Sequence, residues 1–166
     1  MAKFKSYFGD GADLMAVFEK GDAFSVDDLL EVLRPAAIRL VEIYRQAITT
    51  RFQQRSGDLA DSIDFEDNYL SGHYASMLVK PFGTHSKSKY TRRSRAGPQA
   101  RKYAKHGRTS STKPLKNEEL AYLLEYGTSR IDATHWMETA NEESESEIQG
   151  IIDEGFTALL AKKGLL

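Results

Sequence analysis

Two long stretches of the chain carry apolar residues at the spacing of an amphipathic helix. The first follows Ser25-Val26-Asp27-Asp28, which is typical of a helix start because a hydroxyl caps it and two acids face the positive end of the dipole. The second follows Trp136 and ends near Lys162-Lys163 and Gly164. Pro35 falls inside the first stretch, where it either kinks one long helix or begins a second one. The apolar positions are Leu29, Leu33, Ala37, Leu40, Tyr44 and Ile48, to about Phe52, and then Met137, Ala140, Ile148, Ile151, Ile152, Phe156, Leu159 and Leu160.

Between these helices the pattern changes to that of strands. Two short strands are predicted around Ile63 and Phe65 and over residues 74–79, joined by a polar turn at 68–72 and closed by Pro81. A short helix follows Asn117, with Glu118 and Glu119 in its first turn. The sequence therefore predicts an α+β fold, in which a small antiparallel sheet is flanked by a long N-terminal helix and a long C-terminal helix. We expect residues 25–166 to form one domain.

Residues 1–24 precede this domain and combine aromatic side chains with glycines. We interpret them as an N-terminal docking segment, which covers either its own subunit or a neighbouring copy. Within it, residues 13–20 are predicted to form a short helix that places Leu14, Val17 and Phe18 on one side and ends at Gly21. The aromatic residues are Phe4, Tyr7, Phe8, Phe18 and Phe24.

A basic arm at 83–117 is inserted between the last predicted strand and the short helix. Residues 68–117 contain no Asp or Glu, and Ser, Thr, Gly and Pro fill the gaps between the cations. Such a composition buries too little apolar surface to fold alone. Three interpretations compete: a solvated loop, an arm that pairs with an acidic surface of a neighbouring subunit, and a contact with nucleic-acid phosphate. The cations assigned to this contact are Lys87, Lys89, Arg92, Arg93, Arg95, Arg101, Lys102, Lys105 and Arg108, and Lys113 and Lys116 follow.

Composition limits the remaining functional classes. The chain has 166 residues, a formal net charge of −1 and no cysteine, so disulfides and thiolate metal sites do not arise. No apolar run approaches the roughly 18–20 residues needed to span a bilayer, and the first residues lack the apolar region of a signal peptide. We expect a soluble protein made in the cytoplasm.

The patterns of catalytic and metal sites are missing from the sequence. The histidines at 73, 85, 106 and 135 lack the spacing of paired metal ligands. Gly9-Asp10-Gly11 lacks the Lys-Ser/Thr ending of a phosphate loop, and no serine sits in a Gly-x-Ser-x-Gly elbow. We therefore expect no enzyme, no cofactor and no metal site.

The stretch 120–140 contains the most distinctive pattern of the chain. A short apolar helix leads into Glu125-Tyr126-Gly127-Thr128, where Gly127 is expected to have positive φ after the helix end. A loop then leads to Trp136-Met137. This pattern resembles the tail-completion, or head–tail joining, family of long-tailed bacteriophages. Residues 56–63 are similar to that family's Gly-x-Leu-x-x-Ser-Ile, through Gly57, Leu59, Ser62 and Ile63. The family often has proline before the aromatic-Met pair, where this chain has His135, and Phe where it has Tyr126.

The resemblance covers roughly residues 26–160 and implies a structural function. A protein of this family would form a ring, expected to be hexameric, in the phage neck. It would join the head-completion or connector protein on one side to the tail terminator or tail tube on the other, and DNA would pass through its lumen. In that hypothesis Glu125–Thr128 fixes the turn between the two C-terminal helices, Trp136-Met137 anchors the second helix, and the protein is made in the host cytoplasm and located in the virion.

Two alternatives come from other functional classes. The first is a nucleic-acid-binding module whose basic arm at 83–117 is its working part. The second is an assembly chaperone that is absent from the mature particle. A binding module should hold duplex DNA as a monomer with a steep salt dependence, whereas a neck protein should gain order on assembly.

Overall fold

Two long helices and a three-stranded antiparallel sheet make up the fold. The computed structural model describes residues 12–17, 24–52, 58–71, 74–84, 116–129 and 131–165. In chain order its elements are β1 (Ala12–Val17), α1 (Val26–Arg51), α2 (Asp58–Asp61), β2 (Ile63–Ser71), β3 (Tyr74–Pro81), α3 (Asn117–Tyr126) and α4 (Trp136–Lys162). The strand order is β1-β3-β2. Helix α1 contacts all three strands and also packs along α4. The predicted α+β class is confirmed.

Helix α1 is continuous through Pro35, so of the two alternatives at this proline the single long helix is confirmed and the second helix is excluded. Pro35 and the residue four positions earlier, Glu31, both lie on the exposed face. Water can therefore hydrogen-bond the carbonyl that the proline leaves without a donor. The predicted start is confirmed: the Ser25 hydroxyl accepts from the Asp28 N–H at 3.2 Å, and the Asp28 carboxylate accepts from the Ser25 N–H at 3.0 Å.

Residues 12–17 form strand β1, so the helix predicted at 13–20 is wrong over that range. β1 pairs antiparallel with β3, with Leu14 opposite Met77 and Ala12 opposite Val79. A short apolar run fits the period of a helix or of a strand. Here pairing with the edge of β3 stabilises the strand. Part of the predicted docking segment is thus a strand of its own subunit's sheet.

Strands β2 and β3 pair as predicted, but β2 continues through Ser71. The predicted turn at 68–72 therefore lies mostly within a strand, which contains an irregularity between Tyr69 and Ser71. On β3, Ala75, Met77 and Val79 are fully buried.

Helix α4 follows the predicted pattern and is fastened to α1 along its length. At Gly155 an added Cβ would lie 3.1 Å from Val32 Cγ1, so the absent side chain allows the two helices to approach closely. At the end of α4, Lys163 Nζ lies 2.7 Å from the Asp28 carboxylate. That contact, together with the hydrogen bonds from Ser25, lowers the pKa of Asp28 to about 2. Among the described helices, none contains a stretch apolar enough to cross a membrane.

Candidate functional site

The loop between α3 and α4 begins at Gly127, where the backbone requires glycine. Its φ is 74° and its ψ is −174°, a region that other residues essentially do not occupy. A Cβ at this position would also lie 2.6 Å from both Ala133 N and Ile131 O, closer than any real contact. The expected positive φ is confirmed, and the tight approach of 131–133 adds a second reason for glycine.

Hydrogen bonds close this loop onto the end of α3. Thr128 N–H donates to the Ile131 carbonyl at 2.7 Å, and Ile131 N–H donates back to the Thr128 hydroxyl at 3.1 Å. The Thr134 hydroxyl donates to the Leu124 carbonyl at 2.6 Å, and His135 N–H donates to the Glu125 carbonyl at 3.1 Å. The carbonyls at the end of a helix lack donors within that helix. Here Thr134 and His135 of the loop provide the donors.

Glu125 caps the start of α4 from the end of α3. Its carboxylate oxygens accept hydrogen bonds from Met137 N–H at 2.8 Å and Glu138 N–H at 3.1 Å. The side chain at the N-cap position itself, His135, makes no capping hydrogen bond. A carboxylate at this place satisfies unpaired donors and interacts favourably with the positive end of the helix dipole. Glu125 therefore joins the two helices through a buried charge.

Sequence reasoning placed Glu125 in the motif but missed its role as a cap. A signal was present, because Glu125 lies at helical spacing after Asn117 and Ala121, on the side of α3 that is buried. An acid on the buried face of a short helix indicates a fixed hydrogen-bonding partner. Which partner it meets depends on the fold of the following loop, and the residue pattern does not contain that information.

Trp136 docks this joint onto α1, and Met137 is buried in the same core cluster. Trp136 is fully buried, and its ring lies edge-on to Tyr44 with centroids 5.6 Å apart. The Tyr44 hydroxyl donates to Asn141 Oδ1 at 2.8 Å. Burial raises the pKa of Tyr44, and the nearby negative charge of Glu125 adds to this effect. Trp136 Nε1 has no hydrogen-bond acceptor among the described residues.

Among the residues that the structure describes, Glu125, His135 and Glu138 form a group whose ligand atoms are close enough to be compared with a metal site. These atoms lie within 4.8 Å of one another, and His135 Nδ1 is 3.1 Å from the Glu138 carboxylate. However, both carboxylate oxygens of Glu125 already accept N–H donors. A cation would also sit at the positive end of the α4 dipole. The geometry favours a helix cap over a metal centre.

The upstream motif forms the connection from α2 into β2. Leu59 and Ile63 are buried, and the Ser62 hydroxyl donates to the Leu59 carbonyl at 2.7 Å. The Ser62 carbonyl in turn accepts from Phe82 N–H at 2.8 Å, which ties the motif to the end of β3. Gly57 lies outside the described residues.

The two ends of the basic arm meet at one point of the fold. Thr84 and Lys116 form an antiparallel bridge. Beside it, Asn117 N–H donates to the Gly83 carbonyl at 3.1 Å and Asn117 Nδ2 donates to the Phe82 carbonyl at 2.7 Å. The chain thus leaves and rejoins the domain at the same place. The cations assigned to the arm, Lys87, Lys89, Arg92, Arg93, Arg95, Arg101, Lys102, Lys105 and Arg108, lie outside the described residues.

Comparison with known proteins gives no family and no relative. No family model matches the chain, and no curated protein or solved structure matches it. The geometry of the joint and the distribution of charge are therefore the basis for the functional argument.

Proposed function

We propose that this protein is a structural subunit of the neck of a long-tailed bacteriophage. It forms a ring, expected to be hexameric, that joins the tail to the head connector and lets DNA pass. The observation that carries the proposal is the joint between α3 and α4. Glu125, Gly127, Thr128, Trp136 and Met137, the residues on which the resemblance depends, act there as one hydrogen-bonded and packed unit.

The function of such a joint is mechanical. Glu125 fixes the start of α4 to the end of α3, and Trp136 fixes the same point to α1 through Tyr44. A subunit under tension between a head and a tail needs elements that keep their relative positions. A buried charge with two N–H partners resists displacement, because moving it would leave an uncompensated charge in the interior.

The distribution of charge supports an assembly of identical subunits. Ten of the 23 Lys and Arg residues and none of the 24 Asp and Glu residues lie at 85–115. That segment carries a formal charge of +10, so the rest of the chain must carry −11 to give the net charge of −1. Seven of the Asp and Glu residues lie on α4. Among them, Glu142, Glu143 and Glu145 are exposed. Head-to-tail contacts in a ring bring two different surfaces of the same chain together repeatedly.

The second candidate is a nucleic-acid-binding module, and the charge of the same segment is the observation that favours it. Residues 85–115 carry a formal charge of +10, and the chain on either side of them pairs at Thr84 and Lys116. Such a segment could bind along the phosphate backbone of a nucleic acid. This candidate uses the arm alone and assigns no function to the joint, whereas the neck proposal uses both.

Reconstitution of head–tail joining tests the proposal. The purified full chain is added to an extract of heads and tails from a phage that lacks this gene product, and joined particles are counted by electron microscopy. We expect the protein to restore joining. A variant with Arg92, Arg93 and Arg95 changed to Glu should fold but fail, while the matched change of the three to Lys should succeed. Heads and tails that join equally well without the protein would contradict the proposal.

A further inference from the structure

A groove with an apolar floor lies between α1 and the outer edge of β2. Its volume is about 580 Å³. Ile38 contributes apolar surface to the groove and is 47% exposed. At the rim, the Arg34 guanidinium lies 3.5 Å from the Asp67 carboxylate. The lining residues are Asp27, Leu30, Glu31, Arg34, Pro35, Ile38 and Asp67.

Strand β2 forms one edge of the sheet beside this groove, where the Ile63 carbonyl accepts from Arg45 and the Phe65 N–H donates to the Asp64 carboxylate. Within the described part of the chain, β2 pairs only with β3, and β1 pairs with the far side of β3. The unpaired N–H and C=O groups of an edge strand can bind a further strand. Along β2, Ile63 and Phe65 face the core, whereas Asp64 and Glu66 are exposed. A strand added here would meet Ile63, Phe65 and the Arg34–Asp67 pair on one face, and Asp64 and Glu66 on the other.

The segment Lys3-Phe4-Lys5-Ser6-Tyr7-Phe8 has the matching pattern. In an extended strand Phe4, Ser6 and Phe8 share one face, and Lys3 and Lys5 share the other. Phe4 and Phe8 would then be about 13 Å apart, close to the roughly 12 Å that separates Leu30 from Ile38 along α1. With the aromatics in the groove, the lysines would lie on the side of Asp64 and of Glu66, which also pairs with Lys80 at 3.0 Å. The basic arm has no comparable alternation of aromatics and cations.

The geometry places this segment on another copy of the chain. β1 lies at the opposite edge of the sheet, so the position beside β2 is three strand spacings away, or about 14 Å. Four residue steps separate Phe8 from Ala12 and reach at most about 14 Å when fully extended. The chain would have to pass around the ends of β3 and β2, which needs more length than that.

We propose that residues 3–8 of one copy add as a strand to the outer edge of β2 in a second copy, with Phe4 and Phe8 in the α1–β2 groove. The inference rests on the proposed ring and names the contact that links neighbouring subunits. The donor segment and the acceptor groove are different surfaces, so the contact is head-to-tail and repeats around a closed ring.

Cross-linking between two single-cysteine variants tests this contact. The natural chain has no cysteine, so each introduced thiol is unique. Ser6 lies midway between the two aromatics, and Arg34 lies midway between Leu30 and Ile38, so this pair suits either strand direction. Full chains carrying Ser6→Cys and Arg34→Cys, with tags of different size, are mixed and treated with a short bifunctional thiol reagent. We expect a covalent heterodimer at a yield about tenfold or more above controls, because docking raises the local thiol concentration.

Two control pairs identify other occupants of the groove. Ser6→Cys mixed with Ser146→Cys probes the exposed face of α4, and Ser94→Cys mixed with Arg34→Cys probes the basic arm. No heterodimer from the first pair, or an equal or higher yield from a control pair, would overturn the proposal. If the Ser6→Cys and Arg34→Cys chains form rings but give no cross-link, the proposed contact would be refuted and the proposed ring would stand. If the cross-link forms but the protein fails to restore head–tail joining, the proposed function would be refuted and the proposed contact would stand.

Discussion

At Gly127 the backbone conformation and the packing exclude a side chain for separate reasons. The residue combines φ of 74° with ψ of −174°, and a Cβ would lie 2.6 Å from two backbone atoms of the following loop. Gly127→Ala should therefore lower the free energy of unfolding by about 2–4 kcal/mol. Chemical denaturation followed by circular dichroism measures this change.

Gly150 provides the matched control for that substitution. It lies in α4 with no atom within 4 Å of an added Cβ. Gly150→Ala should stabilise the helix by about 0.5–1 kcal/mol, because alanine loses less backbone entropy on folding. If the two variants were equally stable, the assigned conformation of the loop would be wrong.

Glu125 is the residue whose charge connects two helices. Glu125→Gln keeps the shape but replaces one acceptor oxygen with an amide NH₂, which faces the N–H of Met137 or Glu138. One buried donor then has no acceptor, so we expect the free energy of unfolding to fall by about 1–3 kcal/mol. Glu142→Gln, on the exposed face of α4, should change the free energy of unfolding by less than about 0.5 kcal/mol. Equal effects would indicate that Glu125 does not cap α4.

At the residue scale, the sequence predicted features that depend on one residue and its near neighbours along the chain. The positive φ of Gly127 and the cap at Ser25 follow from glycine and hydroxyl chemistry within a few positions. It missed the Glu125 cap and the Tyr44–Asn141 hydrogen bond, because those partners are 12 and 97 positions apart. Nothing in a single sequence specifies such pairs.

At the scale of elements, the two long helices, the β2–β3 pair and the short helix after Asn117 were predictable, whereas strand β1 was not. Helices α1 and α4 contain 26 and 27 residues, enough repeats for the apolar period to identify them. Strand β1 contains six residues, and its conformation depends on pairing with β3, about sixty positions later. Tertiary pairing overrides a weak local preference for helix. The segment was interpreted as a docking element, and in the structure residues 12–17 complete the sheet of their own subunit.

The basic arm is an element that can be removed as a unit. Because Thr84 and Lys116 pair and Asn117 bonds to both Phe82 and Gly83, a short turn can replace residues 85–115. We expect a chain with Gly-Asn-Gly in that place to fold with a thermal midpoint close to that of the natural chain. Differential scanning calorimetry measures it. The same excision combined with Asn117→Ala should be less stable, and an unfolded excision variant would show that the arm belongs to the core.

At the scale of the whole molecule, the separation of charge is the property that most affects assembly. In the proposed ring, the charge of +10 on residues 85–115 would be attracted to the charge of −11 on the body of a neighbouring copy, and salt would screen this attraction. The proposed addition of residues 3–8 to β2 of a second copy would give a contact that is mostly apolar and backbone-mediated. The two contacts should respond differently to ionic strength, with the arm weakened at high salt and the strand retained.

The mass of the purified full chain in solution tests the neck proposal most directly. It is measured by analytical ultracentrifugation at low and high salt, alone, with tail tubes that carry their terminal ring, and with duplex DNA. The account predicts a ring, or a subunit that becomes a ring on those tubes. A monomer that ignores the tubes but binds duplex DNA, with an affinity that falls steeply as salt rises, would contradict it.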